Sequence, residues 1–298
     1  MKHTWKITFL LISMFIVAQI VGLAVISTYH PVTQEIKIDD NISVNETVRN
    51  LPYGLEPPAY SSSQSLISFI SGLFIAIILF LLLMKYRVEW VLKSWFFVVV
   101  VIALSITFNA FLMFSKYSAY LAIILALIFA YFKIFKRDIL AHNFSELLIY
   151  PGISALFVPI LSIKTTIILF VIISIYDIYA VWHAKFMQKM AKYQINELKI
   201  FSGFLIPYQL PKELQTGKGK NKNKVAVAML GGGDVVFPII LSGVVLNFWG
   251  LPQALLVTLG ATLSLLLLFM YSEKGKFYPA MPFITAGSFL GLLVAYLI

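Results

Sequence analysis

The sequence contains no cysteine, which excludes a disulfide framework and any thiolate metal site. Charge is scarce as well. Only 12% of the 298 residues are charged against 60% apolar, too few to clothe a soluble domain of this size. Histidine is nearly missing. His3, His30, His142 and His183 are scattered through loops and span ends without i, i+4 pairing, and read as surface or interface residues rather than zinc ligands. No Gly-x-Ser-x-Gly run points to a serine nucleophile. The polar–apolar alternation of barrel strands is also lacking.

What is present is a series of apolar runs of roughly 17–22 residues, the length a helix needs to cross a bilayer. They fall at about Ile7–Tyr29, Leu66–Met84, Trp95–Phe114, Tyr117–Phe132, Leu147–Ile163, Thr165–Trp182, Val225–Leu246, Pro252–Tyr271 and Pro279–Ile298. The first run is too long for a signal-peptide core and lacks a small-x-small cleavage site, so it reads as an uncleaved span. The fifth carries Pro151, Gly152 and Pro159 and is expected to be kinked or short. Tyr and Trp near span ends, among them Trp5, Tyr29 and Trp182, read as interfacial anchors.

The formal charge of +10 resembles a nucleic-acid signature until the bases are placed. With the N-terminus in the cytoplasm, Lys2, Lys6, Lys85, Arg87, Lys93, Lys133, Lys136, Arg137, Lys274, Lys276 and the lysines from Lys185 to Lys224 all fall inside. Only Lys37, Arg49, Lys116 and Lys164 fall outside. That segregation is the positive-inside rule. The expected fold is an all-α polytopic membrane protein with nine transmembrane helices, N-terminus cytoplasmic and C-terminus extracytoplasmic. Residues 1–184 hold helices 1–6 with an outer loop at 30–65, residues 185–224 a flexible basic cytoplasmic loop, and residues 225–298 helices 7–9. The outer loop has two sequons, at Asn41 and Asn45, relevant only if it faces outward. Phe201–Leu210 is an apolar island in the basic loop and reads as an interfacial patch.

Two acids sit inside spans: Asp177 in the sixth and Asp234 in the seventh. Charged groups there are costly and usually functional. No Lys or Arg is expected within any span, so neither acid has a basic partner. The two helices run antiparallel, which puts both carboxylates roughly 8–15 Å below the cytoplasmic interface at 1.5 Å per residue. Facing carboxylates in a low-dielectric site cannot both ionise easily, so the pair shares one proton. That is the working state of an aspartic protease. Gly231, Gly232 and Gly233 would loosen the helix beside Asp234 and admit another backbone, and Pro238 weakens it further.

Tyr176-Asp177, Gly231-Gly232-Gly233-Asp234 and Pro279-Ala280-Met281-Pro282 resemble the Tyr-Asp, Gly-x-Gly-Asp and Pro-Ala-Leu signatures of the presenilin and signal peptide peptidase family. The small size is most like an archaeal homologue. Met281 stands where the family has Leu, a volume-similar swap. The resemblance implies an intramembrane aspartyl protease with Asp177 and Asp234 as the catalytic pair. It also implies that Tyr176, Gly231, Gly232, Gly233, Pro279, Ala280 and Met281 shape the site. In presenilins the loop between the sixth and seventh spans is the site of autoproteolysis, and Phe201–Leu210 is the segment here that could correspond.

No metal or organic cofactor is implied, because the chemistry needs two carboxyls and water. The expected partners are the lipid bilayer and single-span protein substrates with their N-terminus outside, not nucleic acid. The protein would be an integral, multi-pass membrane protein, in the cell membrane if the source is prokaryotic or archaeal. The rival reading from another class is a proton- or cation-coupled transporter using the same aspartates. A third is an inactive scaffold that binds transmembrane helices. The odd span number, the lack of internal repeats and the Pro-Ala-Met segment weigh against transport.

Overall fold

The computed structural model describes residues 4–30, 32–39, 42–48, 53, 62–86, 88–136, 138–183, 193, 200–208, 227–273 and 278–298. Among them are nine α-helices: α1 (Trp5–Thr28), α2 (Ser62–Lys85), α3 (Glu89–Phe111), α4 (Ser118–Phe135), α5 (Ile139–Phe157), α6 (Ile163–Trp182), α7 (Gly232–Trp249), α8 (Leu251–Tyr271) and α9 (Met281–Leu297). Eight are long and apolar enough to cross a membrane, and α9 is a shorter apolar helix. Two antiparallel strand pairs accompany them: β1 (Val32–Asp39) with β2 (Ile42–Val48), and β3 (Gly203–Pro207) with β4 (Val227–Gly231). Asn45 lies on β2, whereas Asn41 is outside the described residues, as is most of the basic loop.

The helices are apolar on nearly every face, as expected where lipid rather than water is the solvent. What separates centre from periphery is therefore packing. In α7, 61% of the apolar window is buried, whereas in α2 none is. Leu241, Val244 and Val245 of α7 are fully enclosed, in one core with Phe15 of α1 and Leu265 of α8. Without a hydrophobic drive between helices in lipid, close approach depends on small residues. The tightest case is α8 on α9, where a Cβ at Gly260 would strike the Gly287 carbonyl and one at Gly287 would strike that of Gly260.

Three boundaries differ from the sequence expectation. First, α5 starts at Ile139, well before Leu147, and runs through Pro151 before a 3-10 turn at Val158–Ile160. Thr107 of α3 donates to the Leu148 carbonyl at 2.7 Å, in the turn that precedes Pro151. Second, the seventh run does not begin as helix. Residues 227–231 are strand, and helix starts only at Gly232. Third, the apolar island is not an interfacial patch: it forms β3, with Phe204 and Ile206 buried and Leu205 and Pro207 less so. Tyr29 is likewise no interfacial anchor. It is buried and donates its hydroxyl to the Ile106 carbonyl at 2.7 Å.

A hydroxyl pair ties α6 to α9, with Ser174 and Thr285 at 2.7 Å and both buried. Ser174→Ala is expected to lower unfolding free energy by roughly 0.6–1.7 kcal/mol, the range for buried interhelical hydrogen bonds in bilayers. Unfolding in bicelles measures it. Thr285→Ala should cost a similar amount, and the double variant little more than either.

Candidate active site

Asp177 lies on the last two turns of α6, and its side chain is buried. Asp234 lies in the first turn of α7 rather than ten residues into a helix, and is half-buried. Both line one cavity of about 140 Å³ between α2, α6, α7 and the start of α9. Its other walls are Ile70, Phe74 and Ile77 of α2, Leu169, Ile172, Ile173 and Tyr176 of α6, Gly233 and Phe237 of α7, and Met281. The carboxylates are close enough to interact electrostatically. Among the described residues, Tyr176 is the one other polar residue that lines the cavity.

Each carboxylate is held at a helix N-terminus, where backbone N–H groups lack partners within the helix. The Met281 N–H donates to Asp177 Oδ2 at 3.1 Å, and the Ala280 backbone adjoins the same carboxylate. Pro279 and Pro282 flank these two residues. The prolines also explain why residues 278–280 are non-helical and helix begins at Met281. Asp234 turns its carboxylate back toward Gly231. Gly231 is the N-cap of α7, so the carboxylate faces the positive end of that helix. The glycines therefore mark a strand-to-helix junction, not a loosened helix. Gly233 opens to the cavity, while Gly232 is packed so tightly that a Cβ would meet Ser202 Oγ at 2.9 Å and the Tyr150 ring at 3.0 Å.

Some residues that the sequence reading passed over also meet here. Gln19 of α1, fully buried, donates to the Val235 carbonyl at 3.1 Å, one residue beyond Asp234. A glutamine midway along an apolar run was the available signal. More consequential is a correction: a basic residue does lie within a span. Lys133, inside α4, forms an ion pair with Glu146 of α5, with side-chain exposures of 4% and 0%. Ending the fourth run at Phe132 and starting the fifth at Leu147 had put both in a loop. Lys93 and Lys164 also fall within helices, near the first turns of α3 and α6. His142 is no surface histidine. It sits beside Glu146 and hydrogen-bonds to the Gly203 carbonyl at 2.9 Å. Among the described residues, no group of three or more His, Asp or Glu side chains could hold a metal ion.

A family model described as signal-peptide peptidase, presenilin aspartyl protease matches residues 40–298. Among solved structures, a presenilin family intramembrane aspartate protease in a C222 crystal aligns with a TM-score of 0.64 at 18% identity. The alignment covers 97% of this chain and 98% of that one. The P2 crystal form aligns with a TM-score of 0.62 at 18% identity, covering 96% of each chain. No curated protein matches the sequence. At such identity the structures speak to the fold, and the family match extends the relationship to the sequence itself: this chain belongs to the signal-peptide peptidase and presenilin family of aspartyl proteases.

Proposed function

We infer that this intramembrane protease cuts transmembrane helices with Asp177 and Asp234 as its acid–base pair and water as nucleophile. The observation that supports the reading is the convergence of two carboxylates on one cavity whose other walls are almost wholly apolar. The ionised carboxylate takes a proton from water as the oxygen attacks the scissile carbonyl, and the protonated one donates to the carbonyl oxygen, giving a tetrahedral diol. In collapse, a diol hydroxyl returns its proton to a carboxylate, the amide nitrogen gains one, and the C–N bond breaks. One proton again remains on the pair.

An intact helix hides its carbonyls, so the substrate must be extended where it is cut. Strand β4 offers a backbone edge for that. In the β3–β4 register Met229 pairs with Leu205. The Leu205 backbone bonds to Asn143 on the far side, so this is a non-hydrogen-bonded pair. The Met229 N–H and C=O therefore point away from β3, the direction from which an extended substrate would pair with them.

The lysine distribution supports a cytoplasmic N-terminus even with Lys133 withdrawn into its ion pair, since Lys136, Arg137 and the basic loop remain on that side. It favours substrates whose N-terminus is outside. The test uses one reporter span reconstituted with the protein in liposomes in both orientations. Cleavage of the N-out reporter by at least tenfold over the inverted one is expected. Equal or reversed preference would overturn the orientation, and no cleavage of either alongside aspartate-dependent proton flux would overturn the protease reading.

A further inference from the structure

The outer edge of β3 should be an exposed row of unpaired backbone groups, which a membrane protein cannot leave unsatisfied away from water. Instead α5 covers it with side chains. At Gly203, the carbonyl accepts from His142 Nε2 at 2.9 Å, and the N–H donates to Glu146 Oε1 at 3.4 Å. At Leu205, the N–H donates to Asn143 Oδ1 at 2.9 Å, and the carbonyl accepts from Asn143 Nδ2 at 2.7 Å. Three side chains from one helix thus stand in for a third strand. Glu146 is held in turn by Lys133 of α4. Its second oxygen and the Tyr150 hydroxyl are both buried, on the same side of α5, and Tyr150 packs on Phe204 of β3 and against Gly232.

We propose that this clamp, centred on Glu146, is a positioning device for Asp234. It rests on the reading of Asp234 as one of the reacting pair. The path is short and continuous. Helix α5 fixes β3, and β3 fixes β4 through their five-residue register from Gly203↔Gly231 to Pro207↔Val227. Strand β4 then runs into Gly231 and Asp234 with only two residues between. Ser202 adds a second hold, its carbonyl accepting the Gly232 N–H at 3.2 Å. A buried ion pair is weak evidence for stability, because apolar residues of similar volume often serve as well. What apolar residues cannot supply is the directional bond to the strand. Glu146 does not touch the cavity, so it acts through the strand pair and not on substrate.

Two double variants separate charge from hydrogen bonding. Lys133→Met/Glu146→Gln removes the ion pair but keeps an oxygen for the Gly203 N–H. Lys133→Met/Glu146→Leu removes both. With a reconstituted single-span reporter, the Leu form is expected to lose roughly tenfold or more in kcat with KM little changed, while the Gln form keeps most of its turnover. A second readout uses the cysteine-free background. Leu205→Cys and Met229→Cys create a non-hydrogen-bonded cross-strand pair, with Cα atoms about 4.5 Å apart, within disulfide range. Its oxidation should slow in the Leu background, and once formed the bond should restore kcat there.

Unchanged kcat in a folded Leu form would overturn the proposal. So would lost kcat with undiminished cross-linking, or loss that the disulfide does not repair. If the Leu form does not fold, Asn143→Leu gives the same test, since it breaks both bonds at Leu205 without touching a charge. Cleavage that survives Asp234→Asn would overturn the underlying reading and the proposal with it.

Discussion

Asp177→Asn and Asp234→Asn are each expected to reduce cleavage of a reconstituted single-span reporter by about 10³-fold or more, within the range for losing a positioned general acid or base. The side chains are nearly isosteric, and the backbone N–H that Asp177 accepts from Met281 could equally be accepted by an asparagine oxygen. Fold and cavity should therefore persist, and unfolding curves of both variants should overlay the wild type. The chemistry should not persist, because an amide neither takes a proton from water nor returns one to the leaving nitrogen. Since the two acids work as a unit, the double variant should be scarcely slower than either single one. A double loss near the product of the singles would mean two independent roles instead of a shared proton. Substantial cleavage by either single variant would remove that residue from the catalytic pair.

Much of this arrangement was legible in the chain. Apolar length alone separates the helices, because in lipid no other continuous backbone is satisfied. An aspartate inside such a run announces itself by cost. What periodicity could not show was the switch from strand to helix at Gly231. Residues 225–246 are apolar apart from Asp234 and Ser242, and a buried strand and a buried helix read alike in such a run. The strand partner, Gly203–Pro207, is distant in the chain from Val227–Gly231, so nothing local to either segment specified the pairing. Glu146 and Lys133 were missed for a related reason. Each lies next to a polar stretch, and span limits drawn at the last apolar residue exclude a buried ion pair just inside the helix end. Only the approach of α4, α5 and β3 removes the pair from solvent.

The Pro279-Ala280-Met281 segment carries the other large expectation, and here the backbone matters more than the side chain. Met281 contributes its N–H to Asp177 at 3.1 Å while its side chain forms part of the cavity wall. Met281→Leu keeps the donor and nearly the same volume, so turnover should stay within about threefold of wild type. Met281→Pro removes only the donor in hydrogen-bonding terms. The position is the first of α9, where proline is tolerated because the N–H has no helical partner to lose. Hydrogen bonds to charged groups are worth about 1.5–3 kcal/mol, so kcat should fall roughly 10- to 100-fold as Asp177 loses its bond from the Met281 N–H. Stability should change far less than activity. If Met281→Pro instead cleaves at the wild-type rate, Asp177 is held by its helix alone. If Met281→Leu proves as damaging as proline, the cavity wall and not the N–H is the feature on which the site depends.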